Sequence, residues 1–368
     1  MKTSASLFTG GGLFDIGARQ AGYDVIWGIE NVDRIAAVAR RNGLNVLTAD
    51  VTGVDFHHFQ RPDHLHASPP CPNFSIAKAG GVETELDISL ARAVGNALIA
   101  LVPDTFTLEN VVGYRNSESF RIITQTLTDL GYFWDAENLN AADFGVPQTR
   151  NRLFVRASKG LLTQYPAPVK WVGWYKAIED LIDTLPDSEF APWQLARLPQ
   201  EFVDSFITRP AKYGPEERGD GFCGSETPAP TVKKKNTYMK AFIIPGSGNT
   251  RIIDAEPGKG VRNEDEPAMT ILSDGGGRTP KAFIVSGSNS NGRTFVPREG
   301  NEPHFTITAN MDRAPSRAQV DGRVVKMTIQ ALGRFQTVPD SYIGLTPKIN
   351  GNGVPCKMAE GVLKTFGW

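Results

Sequence analysis

Cysteine is scarce in this chain, with three among 368 residues, at Cys71, Cys223 and Cys356. They are far apart, odd in number and without metal-type spacing. That argues against a disulfide framework or a metal knuckle and fits a reducing cytoplasm. Long apolar runs are also lacking, and no cationic stretch followed by an apolar one opens the chain. Neither a membrane span nor a secretion leader is therefore expected. Net charge is nearly absent, at −1, so the chain as a whole carries no basic signal for nucleic acid. A hydrophobic content of 40% and a charged content of 21% are those of an ordinary globular chain. The length allows two domains, or one enlarged α/β domain.

What the first 160 or so residues do contain is alternation. Ala5 to Thr9, Asp24 to Ile29, Asn45 to Ala49, His64 to Ser68 and Thr105 to Leu108 read as short buried strands. Amphipathic stretches separate them, the clearest running from Ile88 to Val102, where Ala91, Val94, Leu98, Ile99 and Val102 recur at helical spacing. Strand–helix alternation of this kind implies right-handed crossovers and a parallel sheet. After Leu130 the pattern changes. Tyr132 to Asn140 and Arg152 to Ala157 read as two strands joined by a Gly-Pro loop that carries Gln148, an antiparallel pair suited to the sheet edge.

From about Val169 to Val325, Pro, Gly, Ser, Thr and Asn rise and helical periodicity fades. A repeat of roughly 40 residues runs through this segment. Glu226-Thr227-Pro228-Ala229-Pro230-Thr231-Val232 returns as Glu266-Pro267-Ala268-Met269-Thr270-Ile271 and as Glu302-Pro303-His304-Phe305-Thr306-Ile307. Lys240-Ala241-Phe242-Ile243 likewise returns as Lys281-Ala282-Phe283-Ile284. With so few copies, duplicated β-hairpins within one module are expected rather than a solenoid. Between Arg209 and Lys326 there are 18 Lys and Arg against 14 Asp and Glu, densest at Lys233-Lys234-Lys235. A locally basic, loop-rich module beside a more acidic remainder suits phosphate contacts, and a solvated β-rich surface would look the same.

Gly10-Gly11-Gly12 follows the first strand and precedes a helix, where the backbone can turn tightly against a ligand. Glu30 is expected to end the second strand and Asp50 the third, so both carboxylates share the carboxyl-end rim with the glycine turn. Glu30 suits the hydroxyls of a ribose, and Asp50 an adenine amino group. The set fits an adenosine moiety and does not separate a nicotinamide dinucleotide from S-adenosylmethionine. The third glycine of the dinucleotide fingerprint is missing, with Asp15 in its place.

Three further segments carry chemistry. Cys71 lies in Ala67-Ser68-Pro69-Pro70-Cys71-Pro72-Asn73-Phe74-Ser75, just beyond the fourth strand and on the same rim. Glu109-Asn110-Val111 closes the fifth strand and would face it. Arg150 and Arg152 alternate about Asn151 on an extended segment and would share a face. Nearby cations favour a thiolate, the form in which cysteine is a nucleophile. Each residue has an ordinary structural role available to it, as small core filler, strand-end ion pair or solvated edge. Their joint occurrence in this order is what calls for chemistry. C5 of cytosine is a poor nucleophile until something adds at C6, and a thiolate with an acid at N3 supplies that need.

At these residues the chain resembles the cytosine-C5 DNA methyltransferase family. Phe8-Thr9-Gly10-Gly11-Gly12 with Gly17 is similar to its first cofactor motif, Pro70-Cys71 with Phe74-Ser75 to its nucleophile loop, and Glu109-Asn110-Val111 to its Glu-Asn-Val motif. Gln148 through Arg152 resembles the Gln-x-Arg-x-Arg motif, Thr328 to Pro339 the ninth motif and Gly351 to Pro355 the tenth. Leu13, Pro72-Asn73 and Ala331 depart from the common pattern without removing a group that performs a chemical step. The resemblance implies an α/β fold, a Rossmann-like S-adenosylmethionine-dependent methyltransferase sheet. Residues 1–168 would form the catalytic domain, completed by 326–368, and 169–325 a smaller β-rich target-recognition domain. It implies Cys71, Glu109, Asn110, Arg150 and Arg152 as catalytic residues. Phe8, Gly10, Gly12, Glu30, Asp50, Val51 and Asn352 would bind S-adenosylmethionine, with S-adenosylhomocysteine as product and no metal. Double-stranded DNA is the implied partner of a monomeric cytoplasmic enzyme. A partner restriction endonuclease, the recognised bases, and a silent DNA binder or a tRNA methyltransferase on the same core remain open.

Overall fold

The computed structural model describes residues 1–70, 82–188, 282–285, 298–299, 302–304, 317–320 and 323–366. The segment from Cys71 to Gly81, the Lys233–Lys235 cluster and most of the repeats lie outside them. The chain divides into two compact units, one of Met1–Val172, Phe305–Asn310 and Ile329–Trp368 and the other of Gly173–His304 and Met311–Thr328.

In the first unit β1 (Thr3–Leu7), β2 (Asp24–Glu30), β3 (Val46–Thr48), β4 (His64–Ala67), β5 (Thr105–Asn110), β6 (Phe133–Asn140) and β7 (Asn151–Ser158) form one sheet in the order β3-β2-β1-β4-β5-β7-β6. The first five run parallel, and β7 is antiparallel to both β5 and β6. The expected antiparallel pair therefore sits at the edge, with β7 wedged between β5 and β6. The order reverses at β1, which has β2 on one side and β4 on the other. Open α/β sheets bind ligands at such a switch point, outside the carboxyl ends of the strands.

Helices α1 (Leu13–Gln20), α2 (Asp33–Arg41), α3 (Glu85–Leu101) and α4 (Glu118–Asp129) follow β1, β2, β4 and β5, while two 3₁₀ turns link β3 to β4. The α3 pattern starts three residues earlier than its apolar spacing indicates. Thr84 and Asp87 form a capping box that satisfies the first free N–H groups, and Val102 ends the helix in a left-handed conformation before Pro103. Leu90, Val94, Leu98 and Leu101 of α3 join Leu65, Phe106, Leu108, Ile123 and Val155 in the core on one face of the sheet. On the other face, Phe14 and Ala18 of α1 pack with Met358, Ala359 and Val362 of the C-terminal helix. That segment contains α6 (Ile329–Phe335), α7 (Pro347–Asn352) and α8 (Cys356–Leu363).

Gly17 sets how closely α1 approaches α8. A Cβ there would run into the Cys356 carbonyl oxygen and come within 2.7 Å of Ala359 Cβ. Gly17→Ala is expected to lower stability by roughly 1–3 kcal/mol, because the obstacle is backbone and cannot swing aside. A thermal unfolding midpoint equal to that of the unmodified chain would contradict this packing.

Side chains on one face of the central strands are polar although buried. They include Ser4, Ser6, His64, His66, Thr105, Thr107 and Arg156, the last paired with Asp135 of β6. Parallel strands covered on both faces are ordinarily apolar throughout. Among the described residues of the second unit, α5 (Trp174–Ile178) precedes a four-stranded antiparallel sheet. Its order is β11 (Arg323–Lys326), β10 (Arg317–Val320), β8 (Ala282–Val285), β9 (Arg298–Glu299). β8 carries Ala282-Phe283-Ile284 of the second copy of the Lys-Ala-Phe-Ile repeat.

Candidate functional site

The carboxyl ends of β1, β2, β4 and β5 bring most of the sequence-singled residues of the first unit to one rim. Leaving β1, the chain turns at Phe8 and Gly10, both with positive φ, and Gly12 enters α1 in a left-handed conformation with φ 81°. Such a conformation is cheap for glycine and costs a side-chain-bearing residue such as Phe8 about 1–3 kcal/mol, a strain that usually marks a ligand-facing turn. The Thr9 amide donates to the Ile29 carbonyl at 2.9 Å, holding the turn against β2.

Glu30, the last residue of β2, is buried, and its two oxygens accept the amides of Gly10 at 3.0 Å and Val32 at 2.9 Å. Each oxygen keeps a further lone pair, so a fixed carboxylate stands beside the glycine turn with accepting capacity for two neighbouring hydroxyls. The donor set fits an adenosine group in this respect. Asp50 requires a correction of its placement. β3 ends at Thr48, and exposed Asp50 lies two residues on, capping a 3₁₀ turn over Val51–Gly53. Its Oδ1 accepts the Thr52 amide at 2.9 Å and the Thr52 hydroxyl at 2.8 Å, and these bonds hold its pKa below the usual carboxylate value. Val51 is buried beside it.

The C-terminal segment returns to the same turn. Tyr342 donates its hydroxyl to the Gly11 carbonyl at 2.7 Å, a link no local pattern announces. Asn352 ends α7 and is exposed, while the preceding carbonyl, that of Gly351, accepts from Arg150 Nη1 at 2.9 Å. Arg150 is thus buried and turned toward the C-terminal segment.

Arg152 reaches a different partner. Its Nε lies 3.1 Å from Glu109 Oε1, in an ion pair whose side chains are only 17% and 6% exposed. The approach is oblique, and Glu109 Oε1 has no hydrogen-bond partner among the described residues. A buried carboxylate oxygen that is ion-paired with a guanidinium but accepts no hydrogen bond from it retains accepting capacity. The neighbouring Asn110 donates through Nδ2 to the Pro69 carbonyl at 3.1 Å, and its Oδ1 accepts the Val111 amide at 2.8 Å. It therefore ties the end of β5 to the residue two positions before Cys71. Gln148 is buried, and neither of its amide atoms is hydrogen-bonded among the described residues.

One titratable group escaped the sequence reading. Asp15, in the first turn of α1, is buried and accepts from the Ser6 hydroxyl at 3.0 Å. Burial pushes its pKa from 3.8 up to about 7, against the opposing pull of that bond and of Arg19. Its missed signal was the departure from the dinucleotide fingerprint, a carboxylate where glycine was expected. No helix among the described residues is long and apolar enough to cross a membrane, and no group of three or more His, Cys, Asp or Glu among them could hold a metal.

Comparison with known proteins converges on one family. The C-5 cytosine-specific DNA methylase family model matches residues 2–368. The chain is 29% identical over 374 residues to the Type II methyltransferase M.PspPI of Psychrobacter sp. (strain TA137), an alignment covering 98% of this chain and 77% of that one. It is 30% identical over 195 residues to the Type II methyltransferase M.Bsp6I of Bacillus sp. (strain RFL6), covering 50% of this chain and 62% of that protein's length. A solved E. coli structure, described as a DNA modification methyltransferase encoded within a prophage, superposes with a TM-score of 0.57 over 100% of this chain and 98% of its own. At 16% identity that likeness speaks for the fold alone.

Proposed function

The chain belongs to the C-5 cytosine-specific DNA methylase family, and on that premise we propose that it methylates C5 of cytosine within a specific duplex DNA sequence, using S-adenosylmethionine and a covalent bond from Cys71 to C6. The observation that carries the reading is the pairing on β5. Asn110 holds the Pro69 carbonyl just ahead of Cys71, while buried Glu109 beside it is ion-paired with Arg152 through an oxygen that accepts no hydrogen bond among the described residues.

The target cytosine has to leave the stack, since C5 and C6 cannot be approached squarely inside a duplex. Cys71 adds at C6, and Glu109 hydrogen-bonds and protonates the N3 edge, which drains the ring of the charge that addition builds up. Arg152 keeps the Glu109 carboxyl in place and contacts the base. Arg150, committed to Gly351, braces the C-terminal segment behind the cofactor turn. Phe8, Gly10, Gly12, Glu30, Asp50, Val51 and Asn352 hold S-adenosylmethionine, with Glu30 on the ribose. When bound, that cofactor supplies an electrophilic methyl group, and S-adenosylhomocysteine is what remains. A water or hydroxide then takes the C5 proton, the C5–C6 double bond re-forms as the Cys71 thiolate leaves C6, and N3 returns its proton to Glu109. Residues 169–325 serve as the target-recognition domain of a monomeric cytoplasmic enzyme. The Type II names of its relatives support a restriction-modification setting with a partner endonuclease.

The test is incubation of the purified protein with S-adenosylmethionine and unmethylated plasmid, followed by mass spectrometry of the nucleosides. A 5-methylcytosine peak is expected. Its absence from plasmid and presence in a parallel tRNA reaction would replace duplex DNA by RNA in this reading.

A further inference from the structure

Four side chains on β4 and β5 form a hydrogen-bonded line along the buried sheet face. In register, His64 stands opposite Thr105 and His66 opposite Thr107. His64 Nδ1 lies 2.9 Å from Thr105 Oγ1 and its Nε2 3.0 Å from Thr107 Oγ1. His66 Nδ1 lies 2.9 Å from Thr107 Oγ1, and its Nε2 reaches the Ser68 hydroxyl at 2.9 Å. Phe14 covers the His66 ring in a stack, with centroids 3.4 Å apart and planes 5° apart. Burial drives the pKa of both imidazoles far below 6.5. Each is therefore neutral and offers one N–H and one accepting nitrogen.

With the Thr105 hydroxyl donating to the Asp63 carbonyl at 3.4 Å as the starting point, proton counting gives one consistent set of directions. That carbonyl can only accept, so Thr105 Oγ1 must receive the His64 Nδ1–H. His64 Nε2 is left as an acceptor and takes the Thr107 hydroxyl hydrogen. Thr107, its hydrogen committed, must receive the His66 Nδ1–H. His66 Nε2 in turn takes the hydrogen of Ser68. The chain runs one way, from Ser68 through His66, Thr107, His64 and Thr105 to the Asp63 carbonyl, with no member left over. A fully satisfied buried network of this kind rigidifies what it holds, whereas a broken one is costly.

What it holds is the root of the segment leading to Cys71. The Ser68 amide bonds the Leu7 carbonyl of β1 at 3.4 Å, its hydroxyl is committed to β4, and Asn110 of β5 grips Pro69. Three strands thus fix residues 68 and 69. We infer that Ser68 is a positioning residue for the nucleophile, locked by the His66–Thr107–His64–Thr105 chain so that the following residues leave the sheet in one direction. This rests on the cysteine-addition reading above.

The test compares Ser68→Ala, Ser68→Thr, His66→Phe and the Ser68→Ala/His66→Phe double variant in single-turnover methylation of plasmid, with KM values and thermal unfolding measured in parallel. His66→Phe keeps the ring stack with Phe14 and deletes both nitrogens. Each deletion is expected to slow methyl transfer roughly ten- to a hundredfold, the scale of a nucleophile misplaced by an ångström, with KM for cofactor and DNA within about twofold. The double variant should be no slower than the slower single one, and Ser68→Thr, which restores the hydroxyl, should recover most of the rate. A Ser68→Ala protein of unchanged rate, a loss confined to KM, or effects that multiply would overturn the assignment. Absence of product from the unmodified protein would overturn it together with the cysteine mechanism, so the two failures are distinguishable.

Discussion

Replacing Cys71 by alanine is expected to lower methyl transfer by roughly 10⁴-fold or more while leaving cofactor and DNA binding within a few-fold of the unmodified protein. The asymmetry follows from where the thiol acts. Binding in this reading is carried by the glycine turn, Glu30 and the locally basic stretch between Arg209 and Lys326, none of which Cys71 touches in the proposed mechanism. The chemical step is carried by a bond to C6, without which C5 has no electron density to offer. Glu109 and Arg152 would still surround the base, and their hydrogen bonds would polarise an aromatic ring that has nowhere to put the charge. The measurement is a pair of assays on one preparation. Isothermal titration with S-adenosylmethionine should give near-identical affinities, and nucleoside mass spectrometry should lose the 5-methylcytosine peak. Methylation persisting within tenfold would remove Cys71 from the mechanism and leave Glu109 and Arg152 as a binding pair only.

Much of this site is legible along the chain because a parallel sheet turns sequence order into position. Strands of one direction end on one rim, so Gly10, Glu30 and Glu109, far apart in sequence, are brought to the same end by alternation alone. Boundaries were less legible where capping groups rather than apolar spacing decide them. Thr84 with Asp87 starts α3 ahead of its first periodic residue, and Asp50 caps a 3₁₀ turn beyond the end of β3. The two arginines show a limit of another sort. Their spacing suggests a shared face and a shared task, yet Arg150 bonds a carbonyl 201 residues away while Arg152 pairs with Glu109. No local pattern encodes such a partner, nor the bond from Tyr342 to Gly11. His64 and His66 were hidden for a related reason. Alternation identifies which side chains share a face, but only the β4–β5 register reveals that threonines stand opposite both rings.

Asp15→Asn is expected to stabilise the protein at alkaline pH and to change little at pH 4 or below. The carboxyl lies in the first turn of α1, where free amides favour an anion by about 0.3–1 kcal/mol. It also receives the Ser6 hydroxyl. Neither effect offsets the removal of water, and the folded-state pKa stands at about 7 against an ordinary 3.8. The sign follows from proton counting. Between those two values the folded chain holds a proton that the unfolded chain has released, so stability falls as pH rises through that window. Below it both states are protonated and the residue contributes nothing. Above pH 7 the folded state carries a buried anion at a standing cost on the order of 4 kcal/mol. Asparagine keeps an oxygen for Ser6 and has no charge to bury, so its unfolding midpoint should pull ahead of the unmodified protein from pH 5 upward, by several degrees at pH 8. Parallel midpoints across pH 5 to 9 would show that Asp15 ionises freely in the fold. Such a cost persists in a natural protein when the carboxyl serves something other than stability, and its place beside Thr9 and the glycine turn makes cofactor binding the property to follow in the same variant.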